Sequence, residues 1–192
     1  MTTLVPQGGF APSPTPLDDL PLSEVYRLIE PGPVVLLTTC RQGRANVMTM
    51  SWHMMVDFSP PLVACIVADG DHSAAALDAT GECVIALPAA SLAKKVVGIG
   101  NCSGRRVDKF AEFGLTAARA ETVAAPLVAE CFVNLECRVV DDTLAAKYGL
   151  RVFEVTKAWR DPTQVEPKTF HHTGWGTFTV DGRRLEIASK MP

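Results

Sequence analysis

The chain has 192 residues, 47% of them apolar and 20% charged, which suits one globular domain able to bury a core without disulfides or metals. Its formal net charge is −3 and no long Lys/Arg run is present, which argues against nucleic acid and anionic membrane as partners. No stretch of about eighteen apolar residues runs unbroken, so no membrane span is expected.

The first twenty residues, MTTLVPQGGFAPSPTPLDDL, lack the basic and apolar regions of a secretory signal. Their Pro, Gly and Ser content predicts an extended arm over residues 1–22, with one folded domain over 23–192. A cytoplasmic location follows as the expectation. The six cysteines show no C-x-x-C or close Cys/His pairing, and five sit in apolar runs. They read as core thiols, and no metal site is expected.

Pro31 to Cys40 predicts a strand, and Arg41-Gln42-Gly43-Arg44 a turn. Ala45 to Val56 predicts one long second strand, ended by Phe58-Ser59-Pro60-Pro61. This strand carries polar Asn46, Thr49, Ser51 and His53 among its methionines. Buried polar side chains need partners, at about 1–3 kcal/mol each if unpaired, and a flat ligand with ring heteroatoms could supply them. Leu62 to Ala68 predicts a third strand, apolar throughout.

Asp71-His72-Ser73 then opens a short helix, with Asp71 or Ser73 as its cap and Gly81 as its left-handed stop. Three neighbours on a turn do not converge as a hydrolytic triad, whereas a turn with free N–H groups favours phosphate. Glu82 to Leu87 predicts a strand and Ser91 to Val97 a helix. Gly98 to Ser103 fails as a dinucleotide fingerprint because Ser103 replaces the third glycine. In the loop that follows, Arg105, Arg106 and Lys109 either face solvent or meet an anion.

Leu127 to Leu144 alternates, with Ala129, Cys131, Val133, Leu135, Cys137 and Val139 on one face and Glu130, Phe132, Asn134, Glu136 and Arg138 on the other. Leu150 to Trp159 predicts another strand. Trp175 to Ile187 predicts a hairpin turning at Asp181-Gly182. His171 and His172, adjacent on an extended segment, point to opposite faces and do not suggest a metal pair. The fold class is mainly β with a few short helices, in a barrel rather than a Rossmann domain.

The blocks NVMTMSW, FSPPLVACIV, HS followed by TGECVIALP, DKF, and APLVAECFVNLEC, in this order and spacing, resemble the flavin reductase-like family over residues 25–185. That resemblance implies an FMN-binding split β-barrel, usually a homodimer. It places Asn46, Val47, Met48, Thr49, Ser51 and Trp52 along the isoalloxazine and His72 and Ser73 at the ribityl phosphate. It puts Asn101, Cys102, Ser103, Lys109 and Phe110 in a loop closing over the flavin, and His171 and Trp175 near the cofactor edge. Two departures remove hydrogen-bonding groups: Ala86 where the family often has Asn, and Ala74 to Ala76 where it often has Thr.

The implied activity is hydride transfer from NADH or NADPH, a transient substrate, to FMN or alternatively FAD. No side chain need act as acid, base or nucleophile, because the flavin carries the chemistry. A reductase of this type could feed a monooxygenase component. The alternatives are a flavoredoxin-type carrier with tightly held FMN and a non-catalytic flavin-binding protein.

Overall fold

The computed structural model describes residues 9–188, so the first eight residues of the expected arm and the last four of the chain lie outside the described residues. In chain order the elements begin with β1 (Asp18–Asp19), α1 (Tyr26–Ile29), β2 (Val35–Arg41), β3 (Arg44–Met50), β4 (His53–Phe58) and β5 (Pro61–Ile66). They continue with α2 (Ala74–Thr80), β6 (Glu82–Leu87), α3 (Ala93–Gly100), α4 (Lys109–Phe113), β7 (Ala117–Ala118) and β8 (Leu127–Val128). The last are β9 (Val133–Asp141), α5 (Ala145–Tyr148), β10 (Leu150–Arg160), β11 (Phe170–Gly174) and β12 (Thr177–Val180).

One sheet runs β3-β2-β6-β9-β10-β5-β4, with β1 added on β10. Its two edge strands, β3 and β4, are joined only by Ser51 and Trp52. Three Cα–Cα links span at most about 11 Å, so the sheet must curl until its edges lie close. The edges do not hydrogen-bond to each other, and the barrel stays split along that seam. Val35, Leu37, Met50, Val63, Cys65, Ile85, Leu87, Leu135, Cys137, Phe153 and Val155 come from six strands and share one buried cluster inside it. A second cluster lies on the outer face, where Val47, Leu36 and Ala86 meet Val96 and Ile99 of α3 and Phe110 of α4.

Several sequence expectations change here. The predicted strand over 45–56 is two strands, because β3 pairs with β2 whereas β4 pairs with β5 on the opposite edge. The alternation over 127–144 is broken into the short β8 and, from Val133, the long β9, and its polar face is buried as well: Asn134 and Glu136 are fully buried. The late hairpin turns at Trp175-Gly176 rather than Asp181-Gly182, using three successive positive φ values at Gly174, Trp175 and Gly176. Asp181 instead takes hydrogen bonds from Thr169 N (2.9 Å) and Thr169 Oγ1 (2.6 Å), fastening the hairpin base. Gly81 ends α2 at φ 64°, as expected, but neither Asp71 nor Ser73 caps its start. Asp71 accepts from Ala68 N instead (3.0 Å).

All six cysteines are free, five of them buried and Cys102 half-buried. Burial raises the Cys65, Cys83 and Cys131 thiols well above the ordinary thiol range, as for inert core groups. Among the described residues no helix is long and apolar enough to cross a membrane.

Candidate functional site

The free edge of β3 forms one wall of a cleft of about 220 Å³. An edge strand leaves the N–H and C=O of every second residue without a strand partner, so β3 offers backbone donors and acceptors to whatever lies beside it. The other walls are the Gly70–Ser73 turn, the end of α3 with Cys102, Ser103 and Gly104, and Lys109. Internal bonds fix these walls to one another. Asn46 Nδ2 donates to Ser73 Oγ (2.9 Å), Thr49 Oγ1 to Val96 O (2.5 Å) and Lys109 Nζ to Ile99 O (2.9 Å).

These bonds alter the sequence argument. Asn46 Nδ2 and Thr49 Oγ1 already have protein partners, so a ligand is not needed to satisfy those atoms. His53 Nε2 donates to Pro33 O (2.7 Å), while its buried Nδ1 has no partner among the described residues. What remains open at the cleft is the β3 edge and Asn46 Oδ1, which meets no protein donor among the described residues. Two glycines leave that space free. A Cβ on Gly104 would stand 2.0 Å from Asn46 Oδ1 and 2.8 Å from His72 Cδ2, and one on Gly100 3.4 Å from Thr49 Cβ.

On the other side of His72 and Gly104, which line both, lies a chamber of about 480 Å³ bordered by Arg44, Arg105 and Arg106. Burial first, and then the charges of Arg105, Arg44 and Lys109, lower the His72 pKa below the usual imidazole value. Burial likewise lowers Lys109, partly opposed by Cys102 and Asp71. The local charge is positive on a chain whose net charge is negative, which makes this end of the cleft an anion-attracting spot.

Eight of the fifteen candidate residues converge on the cleft: Asn46, Met48, Thr49, His72, Ser73, Cys102, Ser103 and Lys109. Ser73 is buried and turned toward Asn46, so its hydroxyl braces the wall. Val47 points the other way into the outer cluster, and Phe110 belongs to that cluster while bordering the chamber. Asn101 is exposed at the end of α3. Ser51 and Trp52 sit at the seam beyond the cleft, with Trp52 70% exposed. His171 is held by Gly32 O (3.0 Å) and Asp181 (3.0 Å), and Trp175 stands fully exposed at the hairpin tip. Of the two departures, Ala86 is fully buried in the outer cluster and does not line the cleft. Arg44, Gly100 and Gly104 were missed as candidates; a glycine beside two arginines was the one available signal for Gly104.

Residues 26–178 match the family model described as "Flavin reductase like domain". The chain belongs to the flavin reductase-like family. The uncharacterised protein YddH of Escherichia coli K12 is 33% identical over 178 residues, covering 85% of this chain and 94% of that protein. The crystal structure of an FMN-binding domain of a flavin reductases-like enzyme from Shewanella baltica superposes with a TM-score of 0.84 at 23% identity, covering 91% of this chain and 98% of that one. Flavoredoxin from Methanosarcina acetivorans gives 0.72 at 27% identity, with 82% and 89% covered. The split β-barrel of this family is the fold of the present chain.

Proposed function

We propose that the protein binds FMN in the cleft along β3 and passes electrons from reduced nicotinamide nucleotides to it. The observation that carries this reading is the open β3 edge lying between two glycine-lined approaches and ending in a positive pocket. A flat heteroaromatic ring needs alternating donors and acceptors along one edge, which an unpaired strand supplies. A phosphomonoester needs cations and N–H groups, which His72, Arg105 and the Asp71–Ser73 turn supply. The donor set therefore fits FMN.

When bound, the flavin would supply the redox chemistry, as the acceptor of hydride from NADH or NADPH. The chain's residues bind and orient. Asn46 and Thr49, locked by Ser73 and Val96, hold the β3 edge rigid beside the ring. Ile99 to Gly104 roof the cleft and limit water, and Lys109 fixes that roof through Ile99 O. His72 has its proton affinity lowered by the cleft and its cations, and a phosphate dianion beside it would restore it.

A homodimer completes this reading. Trp52, just before β4, and Met54, Val56 and Phe58 along it are at least half exposed, an apolar stripe at an edge strand. Such a stripe marks a contact surface, and a second copy would cover it beside the seam. Sedimentation of the 20.6 kDa chain is expected to give twice that mass at micromolar concentration, and a monomer at every concentration would remove the dimer from the proposal.

The activity is tested by following nucleotide absorbance with the protein and added FMN. Steady NADH or NADPH oxidation that depends on FMN is the expected result. Flavin that stays bound and is reduced only by a protein donor would favour the carrier reading, to which the likeness to the Methanosarcina acetivorans flavoredoxin lends support.

A further inference from the structure

Two imidazoles bracket the Gly32–Pro33 segment that leads into β2. His53 Nε2, from β4, donates to Pro33 O (2.7 Å), and His171 Nδ1, from β11, stands 3.0 Å from Gly32 O. The rings differ in what their second nitrogen meets. His53 Nδ1 is buried without a partner among the described residues, so the neutral ring with its proton on Nε2 fits that place. His171 Nε2 lies 3.0 Å from Asp181 Oδ1, so both of its nitrogens face oxygens that can only accept.

Neutral His171 carries one N–H and satisfies one of these oxygens, leaving a lone pair against the other. Thr169 Oγ1, 3.4 Å from Nε2, does not supply the missing proton, because it donates to Asp181 Oδ2 at 2.6 Å. The imidazolium form satisfies both acceptors at once, and one of them is a carboxylate. Burial alone would raise the Asp181 carboxyl, but the hydrogen bonds from Thr169 and His171 outweigh it and hold that group below the ordinary carboxylate range. Burial lowers the proton affinity of His53, its bond to Pro33 O opposes this, and the His171 charge lowers it further. Glu166, Lys168, Arg183 and Arg184 share a surface hollow with Asp181.

We propose that protonated His171 is a pH-sensitive latch, which holds the β11–β12 hairpin on the Gly32–Pro33 segment and opens as the imidazole loses its proton. The hairpin root stays in place in either state, since Phe170 is fully buried in the outer cluster and its carbonyl accepts from Val34 N (2.8 Å). Beyond the root, among the described residues, the two strands pair only with each other. The latch therefore governs the part of the hairpin that carries Trp175 at its exposed tip. The His171 contribution is present while the imidazolium persists and is lost as pH rises through the imidazole range. The Asp181 contribution is lost as pH falls through its lowered carboxyl value, so the latch is closed between the two. It uses no residue of the cleft and stands apart from the flavin reading.

Hydrogen exchange of the hairpin amides tests the latch, measured by mass spectrometry on the full chain without flavin and corrected for the intrinsic pH dependence of exchange. Protection over residues 171–180 is expected to fall about fivefold between about pH 5.5 and about pH 8.5, the loss of one hydrogen bond. H171Q is expected to remove this step and D181N to shrink it. H172Q, at the neighbouring imidazole, is expected to keep it. A purely structural His171 would instead change protection in H171Q by the same factor at both pH values and leave the step standing. A flat profile in the parent chain, loosening on acidification instead, or a step that survives in H171Q or is undiminished in D181N would overturn the proposal. The two variants perturb the pair from opposite sides, so either one decides if the other does not fold.

Discussion

The G104A variant is expected to bind FMN at least about tenfold more weakly, a loss of about 1.4 kcal/mol or more, with the fold intact. The added methyl would fall 2.0 Å from Asn46 Oδ1, far inside contact distance. The Asn46 side chain cannot yield cheaply, because its amide is buried and bonded to Ser73. The loop must therefore lift, or the Asn46–Ser73 brace must break. Either movement disturbs the roof and the β3 wall together. The loop around Arg105 and Arg106 is exposed, so the strain is released outward. The thermal midpoint should accordingly stay within about 4 °C, as for a change under about 1 kcal/mol in a chain of this size. Fluorescence titration and a thermal melt of the same sample check both halves. Unchanged FMN affinity in G104A would mean that Gly104 does not roof the ligand.

E136Q should do the reverse, lowering stability strongly with little effect on flavin binding. Glu136 is fully buried on β9 and its carboxylate accepts four hydrogen bonds. The donors are Glu121 N (2.9 Å), Thr122 N (2.5 Å), Thr122 Oγ1 (2.6 Å) and Trp159 Nε1 (2.7 Å). They tie the 121–122 loop and β10 to β9. An amide can accept on only one of its two heavy atoms, so two donors would face an NH₂ group. Leaving buried donors opposed costs about 1–3 kcal/mol each, so the loss is about 3 kcal/mol. At roughly 2–4 °C per kcal/mol, the midpoint falls by about 6–12 °C. Glu136 borders neither the cleft nor the chamber, so FMN affinity should hold. A midpoint within about 2 °C of the parent would mean that the carboxylate network contributes little.

What the sequence made legible follows the range of the interactions involved. The β2–β3 hairpin was readable because it is local: apolar strands flank a turn at Gln42 and Gly43, both at positive φ. Strand β6 was readable because Gly81 and Pro88 bracket an apolar run. The break at Ser51–Trp52 was not, since β3 and β4 share one pattern and differ only in which distant strand they join. The polar face of β9 misled for a related reason. Glu136 and Asn134 are buried because loop donors from residues 121–128 close over them, and alternation carries no trace of that.

In the site, the residues that converge come from separate segments, 46–49, 70–73, 99–104 and 109, and pattern alone could not bring Asn46, His72 and Ser103 together. The family resemblance did so for eight of them. It did not indicate that Asn46 and Thr49 are already bonded within the protein, which moves the ligand-facing role from their side chains to the β3 edge. Trp52 and Trp175, both exposed, lie outside the cleft of one chain and are positions a second copy could reach.

The central claim is that the β3 cleft holds a flavin. Titrating the purified protein into FMN and following flavin fluorescence tests it most directly. Saturable quenching at one FMN per chain, with a Kd in the micromolar range or tighter, is the predicted result, equivalent to about 8 kcal/mol or more. Fluorescence unchanged up to high micromolar protein would contradict it.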